Sequence, residues 1–202
     1  METEPSPAIE IRRATAADAH FARQISMETA SSAIIRGTGI SRRTPETIID
    51  KMEEGKAVIA VTIDGKWAGF SYIESWSNGK FVSNSGLIVA PAFRKAGIAK
   101  AIKQEIFELS RELYPEAKIF SIMTGLAIMR INMALGFEPV TFDEITRDKS
   151  FWSGCSSCVN YAILQSKGCR NCLCTAMLFD PERQTAIAAE QKHYHFLIPG
   201  NV

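Results

Sequence analysis

Two short stretches of this chain hold residues whose types and spacing could do chemistry. The first is a cluster of thiols: all five cysteines lie between Cys155 and Cys174. Cys155-Ser-Ser-Cys158 forms one CxxC turn, and Cys169-Arg-Asn-Cys172-Leu-Cys174 follows ten residues later. Two close thiolate pairs can close a tetrahedral zinc site, and four sulfurs would leave no open position for a substrate. Cys155, Cys158, Cys172 and Cys174 are the expected structural zinc ligands, with Cys169 as an alternate. Reduced cysteines without metal and a redox pair are the other readings of the same spacing. An odd cysteine count argues against a disulfide framework.

The second stretch is Arg94-Lys95-Ala96-Gly97-Ile98-Ala99-Lys100, between an apolar run and an amphipathic one. Ile98, Ile102, Ile106, Leu109 and Leu113 recur every three or four residues with Lys and Glu between them, which predicts a helix opening at Gly97. The first amides of a helix lack intrahelical acceptors and carry partial positive charge, so a pyrophosphate can be held there. Gly97 and Ala99 let an anion approach the backbone, and Arg94, Lys95 and Lys100 add charge.

Other elements must position these stretches. Ala8–Ala14 alternates and reads as a strand. Thr15-Ala-Ala-Asp18 resembles a capping box opening a helix, and Thr44-Pro45-Glu46 opens a second that runs to Gly55. Three strands follow, Ala57–Ile63, Lys66–Ser77 and Lys80–Ala90, turning at Asp64-Gly65 and Asn78-Gly79. After the long helix come a strand at Lys118–Thr124, a short helix at Ala127–Leu135 stopped by Gly136, and extended chain at Phe137–Phe142. Leu173–Phe179 would be a further strand, with Cys172 and Cys174 facing one side. This order predicts an α+β (mixed α/β) fold with helices packed on a mostly antiparallel sheet.

The 202 residues suffice for one domain with a hydrophobic core. Lys and Arg total 23 against 22 Asp and Glu, so nothing points to a nucleic-acid partner. The longest apolar runs are too short to span a bilayer, and the first residues lack the features of a signal peptide, so no membrane partner and a cytoplasmic location are expected. The expected division is a lead at 1–7, a main domain at 8–149, a Cys-rich extension at 150–181 and a tail at 182–202. His193 and His195 read as part of that exposed tail.

The stretch Arg94-Lys-Ala-Gly97-Ile-Ala99, following Val89-Ala-Pro91 and followed later by Leu135-Gly136-Phe137, resembles the acetyl-coenzyme A site of the GNAT superfamily of N-acetyltransferases. The resemblance covers roughly residues 8–142. It implies a GNAT-like fold and transfer of an acetyl or other short acyl group from acyl-CoA to a primary amine. It further implies that Leu87, Ile88 and Val89 pair through their backbones with the pantetheine arm, and that the amides from Lys95 to Lys100, Ala96 and Ile98 included, hold the pyrophosphate. A strand N–H, that of Val89, would polarise the thioester carbonyl. Many members place a proton-donating tyrosine where this chain has Asn132, which is expected to hydrogen-bond to the coenzyme but cannot act as an acid, and the strand before the loop holds no carboxylate. Glu74 and Tyr72 are therefore the candidate base and acid. Arg36, Arg42 and Arg43 fall in the loop that often shapes the acceptor site, and guanidinium groups suit an acidic acceptor.

Arg-Gly-Thr-Gly-Ile-Ser-Arg-Arg (36–43), Asn-Ser-Gly-Leu-Ile-Val-Ala-Pro (84–91) and the segment from Cys172 to Pro181 also resemble a bacterial GNAT subgroup with a Cys-bearing extension, often encoded beside arginine-biosynthesis genes. That resemblance implies glutamate or a related amino acid as acceptor, and leaves room for a homodimer. A protein N-acetyltransferase and a non-catalytic CoA-binding regulator are the competing readings.

Overall fold

The computed structural model describes residues 8–35, 37 and 39–186. Arg36, His193, His195, the lead at 1–7 and the tail beyond residue 186 lie outside the described residues.

Strand β1 (Ile9–Arg13) leads through a 3-10 turn capped by Thr15 and Asp18 into α1 (Ala22–Ile35). Asp18 is buried and holds Arg12 through two bonds of 2.8 Å, which fixes this turn to β1. Helix α2 (Pro45–Glu53) opens as the sequence predicts, with Thr44 Oγ1 accepting the Thr47 amide and proline in the first turn. The meander β2 (Ala57–Thr62), β3 (Trp67–Trp76) and β4 (Phe81–Val89) follows. Then come α3 (Ile98–Leu113), β5 (Lys118–Met123), α4 (Leu126–Ala134) and β6 (Glu138–Val140). Two short helices, α5 (Lys149–Ser153) and α6 (Tyr161–Ser166), precede β7 (Thr175–Phe179).

The seven strands form one sheet in the order β1-β2-β3-β4-β5-β7-β6, antiparallel except for β4 against β5. The expected α+β class holds. One expectation at the C-terminal end does not. β7 lies between β5 and β6, so residues 150–181 end as an inner strand of the main sheet. That strand begins only at Thr175, which leaves Cys172 and Cys174 in the loop before it, where the Cys174 amide donates to Cys172 Sγ at 3.3 Å.

Helices α3 and α4 cover one face of the sheet, where Ile98, Ile102, Ile106 and Leu109 bury against Val58, Val82 and Ile119. The other face carries two clusters. Ile25, Ile48 and Met52 of α1 and α2 pack on Phe70, Tyr72 and Ile88, while Trp152 and Leu164 of the Cys-bearing segment pack on Phe120, Ala176 and Leu178. Burial of side chains of this size stabilises each cluster by roughly 1.5–3 kcal/mol per residue.

The sheet opens in its centre. β4 pairs with β5 only from Phe81 to Ser83, opposite Lys118 to Phe120, and a last tie runs from the Ser121 hydroxyl to the Asn84 carbonyl at 3.3 Å. Beyond that point the two strands part. β4 stays on β3, but with an extra residue at Gly86–Leu87 facing Ser71. Such a bulge bends a strand and sharpens its twist, which carries β4 away from β5. Gly86 has φ +66°, and a Cβ there would lie 2.5 Å from the Tyr72 ring, so position and conformation both demand glycine. The result is a fork with its apex at Asn84.

Candidate active site

The loop at the open end of the fork combines left-handed turns with free amides. Lys95 and Gly97 both adopt positive φ, at +67° and +79°, and Gly97 caps α3. Alternation of this kind turns successive amides toward one concavity. The first bonds of α3 are donated by Lys100 and Ala101 to the Gly97 carbonyl. Among the described residues the amides from Lys95 to Ala99 have no acceptor, and Arg94 to Gly97 and Lys100 are exposed. A Cβ on Gly97 would meet nothing within 4 Å, so the glycine is required by its left-handed backbone and not by crowding. Ile98 is buried and anchors the helix under the loop.

Arg94, expected to lend its charge to this loop, turns the other way. Its guanidinium donates to Glu28 Oε1 at 2.8 Å, to Ser32 Oγ at 2.7 Å and to the Val89 carbonyl at 3.2 Å. It bolts α1 to the end of β4, which leaves Lys95 and Lys100 as the loop's cations.

Along β4 the Ala90 amide donates to the Ala68 carbonyl at 2.9 Å. By the alternation of an antiparallel ladder, the backbone groups of Ile88 also face β3 and those of Val89 face the fork. Ile88 therefore does not take the role expected of it: its side chain is buried under α1 and α2 and its amide faces β3 rather than the fork.

On the face opposite α3, the expected acid and one expected acceptor residue meet. Arg43 Nε donates to the Tyr72 hydroxyl at 3.0 Å, and Arg43 is also bonded to the Ser41 carbonyl. Burial pushes the Tyr72 phenol above its ordinary pKa, and the Arg43 charge opposes that rise. Glu74 lies further from the open end and pairs with Lys51 of α2 at 3.3 Å, so it is held as an ion pair. Tyr72, Glu74 and Trp76 alternate along β3 beside Ser83 and Ser85 of β4, where Trp76 Nε1 donates to Ser83 Oγ at 2.9 Å. This polar strip, which the sequence reading missed, floors the face.

The Cys-bearing segment closes the same face. The Arg42 amide donates to Ser157 Oγ at 2.8 Å, Ser41 bonds to Cys155, and Gly39 abuts Cys158 Sγ so closely that a Cβ could not fit. The loop carrying Arg42 and Arg43 is thereby docked on residues 155–160. Arg42 is exposed, and its side chain has no partner among the described residues.

Cys155, Cys158, Cys172 and Cys174 share one neighbourhood. Burial, reinforced by the nearby sulfurs, raises the Cys155 thiol and pushes Cys174 up to about 12. Yet among the described residues no three or more Cys, His, Asp or Glu side chains form a group able to hold a metal ion. The donors have zinc-like chemistry without zinc-like convergence, and among the described residues they do not form the expected tetrathiolate site. All five cysteines, Cys169 included, are free and half-buried.

Asn132 is fully buried on α4. Its Nδ2 lies 3.3 Å from Met123 Sδ, and its Oδ1 has no partner among the described residues. The described residues include no helix long and apolar enough to cross a membrane.

No family model matches this chain, and no curated protein matches its sequence. Solved structures do share its fold. N-acetylglutamate synthase from Neisseria gonorrhoeae, complexed with coenzyme A and N-acetyl-glutamate, aligns with TM-score 0.60 at 16% identity over 86% of this chain. This chain spans about a third (35%) of that protein's length. Diaminobutyrate acetyltransferase from Paenibacillus lautus, in complex with L-2,4-diaminobutyric acid and coenzyme A, aligns with TM-score 0.58 at 13% identity, over 87% of this chain and 96% of that one. A GNAT superfamily phosphinothricin acetyltransferase from Sinorhizobium meliloti, in complex with acetyl-CoA, aligns with TM-score 0.55 at 18% identity, over 84% and 86%. The chain therefore carries the GNAT fold: a mostly antiparallel sheet, parted between β4 and β5 and flanked by helices.

Proposed function

We propose that the protein is an acyl-CoA-dependent N-acyltransferase acting on the primary amine of a small, acidic molecule of the glutamate class. The observation that carries this reading is the run of unpartnered amides from Lys95 to Ala99 at the mouth of the β4–β5 fork. A diphosphate fits those donors, and Lys95 and Lys100 add charge. A pantetheine arm then runs inward along the open edge of β4, where the Val89 amide is available to one of its carbonyls.

This path revises one expectation. Val89 sits at the outer end of the fork, where the Arg94 side chain already reaches its carbonyl. An extended arm carries the thioester deeper, to the Gly86–Leu87 bulge, and the donor that polarises it belongs there. Tyr72 packs on that bulge from the acceptor face, so the amine approaches across Tyr72 with Arg42 and Arg43 close by. An acidic acceptor is supported by these arginines and by the N-acetyl-glutamate held by one structural relative. Most of the acceleration is assigned to positioning, with proton removal from the amine left to water or to Glu74 once freed from Lys51.

The experiment is thiol release from acetyl-CoA with a panel of amines. Turnover with glutamate or a close relative, lost on Arg43→Ala, supports the reading. Coenzyme binding without turnover on any amine favours a regulator instead, a reading supported by the burial of Asn132 and the pairing of Glu74.

A further inference from the structure

Helix α3 buries a lysine that this chemistry has not yet used. Lys103 is 1% exposed, and Nζ donates to Asn84 Oδ1 at 3.2 Å and sits 5.5 Å from the centre of the Phe137 ring. An ammonium carries three donors, and among the described residues only one is taken. Asn84 is the residue at which β4 leaves β5, held there by its bonds to Ser110 at 2.8 Å and from Ser121 at 3.3 Å. The polar groups facing Lys103 are thus the Asn84 amide on β4 and, through it, Ser110 on α3 and Ser121 on β5. Asn132 of α4 is buried in the same core, beside Met123 and Met177, and none of these groups is charged. Burial without a counter-ion is a costly way to hold an amine, and a lysine placed so is the kind that exchanges a proton near neutral pH.

Resting on the acyltransferase reading above, we propose that Lys103 is the proton donor to the departing coenzyme A thiolate. Tyr72 and Lys103 lie on opposite faces of the fork, so the amine adds to the thioester carbonyl from one side and sulfur leaves toward the other. The C–N bond forms as the nitrogen loses its proton to water on the Tyr72 face. The C–S bond then breaks, sulfur keeps the electron pair and takes a proton from the Lys103 ammonium. Lys103 recovers a proton from water that follows the departing thiol along the opened fork, before the site closes over the amine again. Burial lowers the Lys103 pKa to about 7, which suits donation to a thiolate.

The test uses the wild-type protein and Lys103→Met, read by ultraviolet absorbance of the thiolate in the binary complex with coenzyme A. In the wild type the bound thiol should ionise about one to two pH units below the free thiol, because a cation faces it. In Lys103→Met the shift should vanish while coenzyme affinity persists, and kcat should fall about 100-fold with the KM for acyl-CoA little changed. Equal ionisation of the bound thiol in both proteins, or an unshifted thiol in the wild type alone, overturns the proposal even if the variant misfolds. Absence of coenzyme binding by the wild type would instead sink the acyltransferase reading on which it rests.

Discussion

Arg43 and Tyr72, 29 residues apart in the chain, meet at 3.0 Å over the Gly86 bulge. The arginine comes from a loop docked on the Cys-bearing segment, and the tyrosine from the centre of β3. Their bond joins the face floored by Tyr72, Glu74 and Trp76 to the point where β4 turns away from β5.

Tyr72→Phe leaves the Arg43 Nε donor without its partner and keeps the ring that packs on Gly86. An unpaired, partly buried charged donor costs about 1–3 kcal/mol. Acceptor kcat/KM should fall about 10- to 100-fold, while calorimetry should give an unchanged coenzyme affinity. Because burial holds the phenol above its ordinary pKa, Tyr72 stays protonated through neutral pH. An alkaline limb of the rate profile near pH 7 should therefore survive in Tyr72→Phe and disappear in Lys103→Met.

Arg94→Ala and Lys95→Ala should separate bolt from binder. The first removes contacts to Glu28, Ser32 and the Val89 carbonyl. Loss of about 1 kcal/mol should lower Tm by roughly 2–4 °C with coenzyme affinity altered less than about threefold. The second should leave Tm in place and weaken coenzyme binding in a salt-dependent way. The reverse pattern would move Arg94 back to the phosphates.

Gly97→Ala places a Cβ in open space but on a backbone with φ +79°. The left-handed conformation costs a non-glycine residue about 1–2 kcal/mol. Thermal unfolding should show that loss, and relaxation of the loop should weaken coenzyme binding. Stability and affinity both unchanged would mean the loop tolerates either conformation.

Lys103→Met should stabilise the protein. With the folded pKa lowered from 10.5 to about 7, the unfolded chain binds the extra proton between those values, so stability rises with pH across that window. The penalty is full below about pH 7 and is relieved toward pH 10.5. A shift of that size corresponds to roughly 4–5 kcal/mol at most. Denaturant melts of the variant and wild type should therefore differ most near pH 6 and converge near pH 10. A variant less stable than wild type at pH 6 would make Lys103 a structural strut.

What the sequence makes legible here is local. The need for glycine at 97, the caps at Thr15 and Thr44 and the period of α3 are all decided within a few residues, and each stands where expected. What it hides is set by distant partners. Arg94 reads as a loop cation until Glu28, 66 residues away, turns it around. Lys103 reads as one of the polar positions of an amphipathic helix until Asn84 shows that it points inward. The place of β7 between β5 and β6 follows from sheet pairing that no short window contains, and so does the docking of Ser157 on Arg42. The cysteine spacing suggested zinc because spacing constrains which residues can meet; it does not make their sulfurs converge.

In the proposed enzyme the amides at the start of α3 hold the diphosphate of a coenzyme. Hydrogen exchange at residues 95–99, measured with and without coenzyme A, tests it most directly. Fast exchange in the free protein that slows when coenzyme binds is the expected result. Coenzyme that binds while these amides go on exchanging freely, or that fails to bind at millimolar concentration, would contradict it.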